Sequence, residues 1–277
     1  MKTKSIIRGA NKIRLDKFLY NTGRSESDEK AGKEIIAGWV KVNGETVHEP
    51  SRLITGNEEI EISRPGGKFA SRGGEKLDHA LKYFDISVKD LTAADLGSST
   101  GGFTDCLLKN GAKKVYAVDV GYGLLAHNLR SDPRVIVKER TSVRKLSGSD
   151  FQDKIDFITV DLSFISILKV FDIIKKLFSP AKGIILLKPQ FEAKHGEHEK
   201  GVVKEKQYHI NILKRVIHSL LKSGMIFNGL HYSPIKGPAG NIEFLLYFKI
   251  DELESVSVDA DPVVEEIVNE AHKKLIS

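Results

Sequence analysis

The stretch LTAADLGSSTGGFTDCLLKNGAKKVYAVDVG, Leu91 to Gly121, decides the fold of this chain. It reads as an apolar strand ending at Asp95-Leu96, a loop of Gly97-Ser98-Ser99-Thr100-Gly101-Gly102, a helix from about Gly102, and a second strand from Val115 to Val120. Working outward, further strand-like runs are Val135 to Val137, Phe157 to Val160, Ile184 to Leu187, Met225 to His231 and Phe244 to Phe248. Helical stretches separate most of them, and that alternation predicts a parallel sheet with helices on both faces. Such sheets bind ligands at the carboxyl ends of their strands, where the glycine loop falls.

Two cofactors compete for that loop. A nicotinamide dinucleotide calls for G-x-G-x-x-G, which brings backbone close to a pyrophosphate, and the run from Gly97 to Gly102 departs from it. A glycine turn with Asp95 just before it suits S-adenosylmethionine, which has no phosphate and presents a cationic amino group and sulfonium. Asp119, at the end of the second strand, is placed to accept from ribose hydroxyls. Between the last two strands lies YSPIKGPAGNIE, Tyr232 to Glu243, too short for a crossover helix and rich in turn formers. Those strands should pair antiparallel. The expected class is therefore α/β, a Rossmann-like S-adenosylmethionine-dependent methyltransferase sheet with an antiparallel last strand.

The 277 residues suggest two domains, with 40% hydrophobic and 29% charged residues, as in soluble globular proteins. No apolar run approaches the ~18 residues of a membrane span, and the start, MKTKSIIRGANKIR, has no long apolar region or cleavage site, so the expected location is cytoplasmic. A single cysteine, Cys106, excludes a disulfide framework and thiolate metal clusters. Of the formal charge of +6, residues 65–250 are the basic part, with 29 Lys+Arg against 19 Asp+Glu. The tail from Asp251 is acidic and leads into PVVEEIVNEAHKKL, where Val263, Ile267 and Leu275 suggest a docked amphipathic helix. Lys2, Lys4, Arg8, Lys12 and Arg14 form a basic arm, either solvated or in contact with phosphates.

Before the sheet, IRLDKFLYNTG (Ile13 to Gly23) carries a helical apolar stripe, a second helix spans about Ser27 to Ala37, and WVKVNGETVHEP (Trp39 to Pro50) alternates around the hairpin signal Asn43-Gly44. Arg14-Leu15-Asp16, a helix, and Gly38-Trp39-Val40-Lys41-Val42-Asn43-Gly44 together resemble the S4 RNA-binding domain. That resemblance implies a small α+β RNA-binding domain, with Arg14, Lys17, Lys30 and Lys41 as its RNA-contacting cations. One departure is Asp28-Glu29, acids on the expected RNA face. Trp39 fits either the small core or a base stack. The expected organisation is an S4-like domain over residues 1–63, a linker over 64–74, including RPGGKFASRGG, and a methyltransferase domain with a C-terminal helix over 75–277.

Chemistry is narrowed by what is missing. The fourth strand ends Val160-Asp161-Leu162-Ser163-Phe164, without the Asn/Asp-Pro-Pro-Tyr run typical of amino methylation, and Cys106 sits in the first helix rather than as a carbon-5 nucleophile. Asp161, Lys188, Glu243 and Lys76 come from separate segments to one sheet edge. A ribose 2′-hydroxyl needs a base and cations for its developing alkoxide, and a lysine crowded by another cation can have its pKa lowered to serve. The segments SRGGEKLDHAL, DLGSSTGGFTDCLL, VYAVDVGYGLLAHNLR, VDLSFIS, LLKPQFE, KGVV and GPAGNIEFLLY, in this order after an S4 domain, resemble the TlyA-type ribosomal RNA 2′-O-methyltransferases, also called haemolysin-like. The resemblance implies a catalytic tetrad of Lys76, Asp161, Lys188 and Glu243; within it we assign Lys188 as the base, Lys76 as helping to lower its pKa and to stabilise the alkoxide, and Asp161 and Glu243 as orienting the lysines. It also implies a cofactor site of Asp95, Gly97, Ser98, Thr100, Gly101, Gly102 and Asp119, and cytidine 2′-hydroxyls of small- and large-subunit ribosomal RNA as targets.

The implied partners are ribosomal RNA or ribosomal subunits, with no membrane, no metal and no obligate protein partner. His195 and His198 in KHGEHEKG read as a polar loop rather than a metal site. Two other function classes stay open on the residues alone: an S4-containing RNA-binding protein with little catalysis, and a cytolysin.

Overall fold

The computed structural model describes residues 12–62, 68–237, 239–251 and 258–276. The chain divides into two compact units, Met1–Gly67 and Lys68–Ser277. In the first, β1 (Ile13–Arg14) runs into α1 (Leu15–Asn21), followed by α2 (Asp28–Ile36), β2 (Val40–Val42), β3 (Glu45–Val47), β4 (Leu53–Ile54) and β5 (Ile60–Ile62). Ser27 caps α2 by accepting the Lys30 N–H at 3.1 Å. Asn43 and Gly44 have φ of 53° and 78°, the two-residue turn whose twist matches a hairpin. Accordingly β2 pairs antiparallel with β3 on one side and β5 on the other. Leu15, Leu19, Ala31, Ile35, Val40, Val42, Val47 and Ile54 enclose a small core of their own.

The second unit runs α3 (Gly73–Tyr83), β6 (Thr92–Leu96), α4 (Gly102–Lys109), β7 (Lys114–Val118), α5 (His127–Arg130), β8 (Val135–Lys138), β9 (Phe157–Val160), α6 (Phe171–Phe178), β10 (Ala181–Leu187), α7 (Pro189–Glu192), α8 (Lys206–Lys222), β11 (Met225–Tyr232), β12 (Phe244–Ile250) and α9 (Asp261–Leu275). Its seven strands lie in the order β11-β12-β10-β9-β6-β7-β8. Only β12 is reversed, pairing antiparallel with β10 and β11, so the sheet has the antiparallel last strand that the short connection predicts.

Each strand feeds two cores by alternation. Ala94, Tyr116, Ile158 and Ile185 pack with α6, α8 and α9 on one face. Ala93, Val115, Phe157 and Ile184 pack with α3 and α4 on the other. Because both faces are covered, β6 is buried along its whole length, as parallel strands are. The chain order changes direction between β6 and β9, neighbours in the sheet, and the carboxyl ends of these two strands form the crevice where such folds bind ligands.

Several boundaries differ from the sequence reading. β7 ends at Val118, two residues early, because Asp119 turns the chain by accepting the Gly121 N–H at 2.7 Å. The basic arm, apart from Lys12 and Arg14, lies outside the described residues, as do residues 64–67 of the glycine-rich run. From Lys68 that run belongs to the second unit: Phe69 is buried in its core, and Gly73 and Gly74 open α3. In α9 the buried stripe is Val264, Ile267, Val268 and Ala271, with Val263 and Leu275 at its margins.

Candidate active site at the carboxyl edge of the sheet

The loop after β6 is shaped by its glycines. Gly97 and Gly101 take φ of 92° and 96°, a region that disfavours side chains. A Cβ on Gly97 would overlap the backbone carbonyl of Asp161, so this position also sets how closely β6 and β9 approach at the crevice. Gly102 faces Ser71 and the backbone of Gly73 and Gly74, where a Cβ would again overlap. The glycine pair read from sequence as linker thus lets the first turns of α3 and α4 touch, and α3 carries Lys76.

Within the loop, Ser98 and Thr100 are buried, whereas Gly97 and Ser99 are partly open. The Ser99 N–H donates to Asp119 Oδ2 at 2.8 Å, and Gly121 donates to the other oxygen. Asp119 therefore joins the loop to the end of β7, and its carboxylate oxygens keep lone pairs for further donors. Val120, next to it, is 70% exposed, an apolar surface beside an acceptor.

Asp95 is placed differently from its loop neighbours. It is fully buried, and its carboxyl accepts from Thr104 Oγ1 at 2.6 Å and Thr159 Oγ1 at 2.9 Å, tying β6 to α4 and β9. Burial pushes the group up to about 7, against the two hydroxyls that favour its charge. A carboxyl raised in the fold holds its proton there while the unfolded chain has lost it, so stability falls as pH rises from about 4 to about 7. Each unit of displacement corresponds to about 1.4 kcal/mol. Asn at position 95 can accept from one threonine and donate to the other, and it does not titrate. Asp95→Asn should therefore flatten the pH dependence of urea unfolding over that window; an unchanged slope would locate the titration elsewhere.

The four tetrad candidates come together as two ion pairs. Lys188, at the end of β10, lies 2.6 Å from Asp161 Oδ1 at the end of β9, and its Nζ also donates to Ser163 Oγ at 2.9 Å. Lys76 of α3 pairs with Glu243 Oε2 at the start of β12. The first pair is the more open, with Asp161 23% exposed against 1% for Glu243. Burial of Lys188 works against its charge, yet the attraction of Asp161 and then Glu243 outweighs burial, and the ammonium is held above the ordinary lysine value. This corrects the expectation that Lys76 lowers it: each lysine is matched by a carboxylate, and the carboxylates dominate.

Several contributors carried no clear sequence signal. Asn241 is buried, accepting the Val203 N–H at 3.0 Å and donating to the Gly201 carbonyl at 3.0 Å, so the KGVV segment is fastened to the loop that leads into Glu243. Phe164, three residues past Asp161, is 91% exposed with φ of 63°, and its ring centroid is 5.2 Å from that of Phe191. A non-glycine residue in the left-handed region carries backbone strain, and such strain clusters at functional sites. Around His195 and His198, Glu197 pairs with Arg215 and Glu199 with Lys204. No group of three or more His, Cys, Asp or Glu among the described residues could hold a metal ion. Cys106 is buried in α4, and burial pushes its thiol up, away from reactivity.

In the small unit, Arg14 is held by Asp16 through two hydrogen bonds and Lys30 by Glu26 at 2.6 Å. Lys17 and Lys41 meet no carboxylate at ion-pair distance among the described residues. The acids Asp28 and Glu29 occupy the first turn of α2, where the helix dipole favours them, and Glu29 pairs with Lys33 at 2.7 Å. Their place is thus explained by the helix itself.

The FtsJ-like methyltransferase model matches residues 69–250, and the S4 domain model matches residues 13–60. A Bacillus subtilis protein named as a candidate rRNA methyltransferase, YqxC, is 42% identical over 271 residues, 96% of each chain. The 16S/23S rRNA (cytidine-2′-O)-methyltransferase TlyA of Mycobacterium tuberculosis is 36% identical over 243 residues, 87% of this chain and 91% of its own. A solved structure from Streptococcus thermophilus that carries a hemolysin name matches with a TM-score of 0.75 at 37% identity, covering 96% of this chain and 98% of that one.

Proposed function

Because the chain belongs to the FtsJ-like methyltransferase family and joins that domain to an S4 domain, we propose that it methylates the 2′-hydroxyl of cytidine in ribosomal RNA, using S-adenosylmethionine. The observation that carries this reading is the two ion pairs, Asp161 with Lys188 where β9 and β10 end, and Glu243 with Lys76 where β12 begins. An alkoxide-forming reaction needs a proton acceptor and cations side by side, and two lysines, each held by a carboxylate, supply them in this reading.

The residues present fit the cofactor. Asp119 offers a partly open carboxylate to vicinal hydroxyls, Val120 offers apolar surface, and residues 97–102 contain no cation for a phosphate. When bound, S-adenosylmethionine supplies an electrophilic methyl group. Asp119 and the backbone of Gly97 and Ser99 would hold it, while buried Asp95 braces the loop from behind. Asp119→Ala should weaken cofactor binding by about 1.5–3 kcal/mol through loss of a charge-assisted acceptor. Unchanged affinity in calorimetry would contradict the assignment.

Lys188 takes the hydroxyl proton, Asp161 holds its Nζ in place and stabilises the ammonium that results, and Lys76, anchored by Glu243, stabilises the alkoxide. Phe164 offers a face on which an unstacked base can rest. The S4 unit contributes RNA affinity, with Lys17 and Lys41, which meet no carboxylate at ion-pair distance among the described residues, among its cations. No helix among the described residues is long and apolar enough to cross a membrane. Methyl transfer from labelled cofactor to ribosomal RNA tests the reading, run with the full chain and with a chain lacking residues 1–62. The full chain should transfer, and the shortened chain should bind cofactor yet transfer poorly.

A further inference from the structure

The connection between β11 and β12 carries Gly237 and Gly240, and each is a glycine for a different reason. Gly240 has φ of 86°, a region that disfavours side chains, and nothing stands where its Cβ would be. Gly237 lies outside that φ region, so its backbone would accept a side chain, but the space around it would not. A Cβ there would overlap Glu243 Oε1 and lie 2.9 Å from Glu243 Cδ. Gly237 is buried, and so is Glu243.

We propose that Gly237 is a positioning residue for methyl transfer: its bare Cα is the wall against which the Glu243 carboxylate rests, and that wall keeps Oε2 turned to Lys76. The inference rests on the tetrad reading above. Oε2 meets Lys76, whereas Oε1 is buried with no hydrogen-bond partner among the described residues. A carboxylate at the end of three rotatable bonds, held by an ion pair on one side only, is oriented on its other side by packing. Gly237 is what packs there.

The wall is braced from behind. The Gly237 N–H donates to the Asn241 carbonyl at 2.8 Å, and the Gly237 carbonyl accepts from the Gly240 N–H at 3.0 Å. The Asn241 side chain is in turn fastened to the Gly201 carbonyl and the Val203 N–H, each at 3.0 Å. Backbone held at this many points yields less readily than the far end of a glutamate side chain. A methyl group at position 237 should therefore move the carboxylate and not the loop, and swing Oε2 away from Lys76. Lys76 then loses the anchor that holds it where the alkoxide forms. The loss falls on turnover, because in the tetrad reading Glu243 acts on Lys76 and not on cofactor or RNA.

The test measures kcat, and KM for ribosomal RNA and for cofactor, on the full chain. Gly237→Ala should lower kcat by about tenfold, the scale of a small misplacement of a reacting group, with both KM values within about twofold. Glu243→Ala should lower kcat as well, and adding Gly237→Ala to it should lower it no further, because no carboxylate remains to be displaced. A merely structural role for the glycine would lower kcat in both backgrounds. If Gly237→Ala does not fold alone, the double variant carries the test: it should fold, since the side chain in the way is gone, and transfer at the rate of Glu243→Ala. Glu243→Ser takes the place of Glu243→Ala should that one not fold. Wild-type kcat in folded Gly237→Ala, a further loss in the double variant, or a double variant that fails to fold where the single Glu243 variant folds would overturn the proposal. Wild-type kcat in the Glu243 variant would instead remove Glu243 from the site, and the tetrad reading with it.

Discussion

Lys188→Ala should cut single-turnover methyl transfer by ~10² to 10⁴, the usual range for loss of a general base, with cofactor and RNA affinity little changed. Lys188 sits where β10 ends, 2.6 Å from Asp161, and no other lysine is within reach of that carboxylate among the described ion pairs. Lys188→Arg should fail nearly as badly, because a guanidinium keeps its proton and cannot accept another. If Lys188 served only to hold phosphate, arginine would substitute well, so near wild-type rates in that variant would end its assignment as base.

Asp161→Asn should lower the maximum rate by ~10², and it should also move the pH profile. In the free enzyme Lys188 is held above its ordinary value by Asp161 and Glu243, so the neutral amine is scarce at pH 7. The rate should then climb about tenfold per pH unit through the alkaline range, as the neutral fraction grows. Removing the charge of Asp161 removes the larger of the two attractions, so the rising limb should shift to lower pH. The plateau falls nonetheless, since the amine becomes a weaker base and loses its anchor. An inflection at the wild-type pH would show that Asp161 does not act on Lys188.

Much of this site is legible in the sequence because strand ends are legible. Asp95, Asp119, Asp161 and Lys188 each close an apolar run, and a parallel sheet brings such ends to one edge. What the edge does with them was harder to read. Asp95 and Asp119 look alike as acids at strand ends, but one faces Thr104 and Thr159 in the core and the other the open loop. Only the positions of the partners separate them. Gly73 and Gly74 look like a linker because close approach of two helices and a flexible turn call for the same residue. The strand ends at Lys182 and Lys249 were concealed for a related reason: the two lysines face each other in the β10–β12 ladder, so charge masks strand. The balance of charge around Lys188 depends on which carboxylate reaches which lysine, a distance no pattern in the sequence records.

The most direct test of the whole account is to incubate the protein with labelled S-adenosylmethionine and ribosomal subunits from cells lacking its gene, then map the methyl group on the RNA. The account predicts label on the 2′-oxygen of cytidine, absent with Lys188→Ala. Label on a base carbon or nitrogen, or no transfer to either subunit or to free ribosomal RNA, would contradict it.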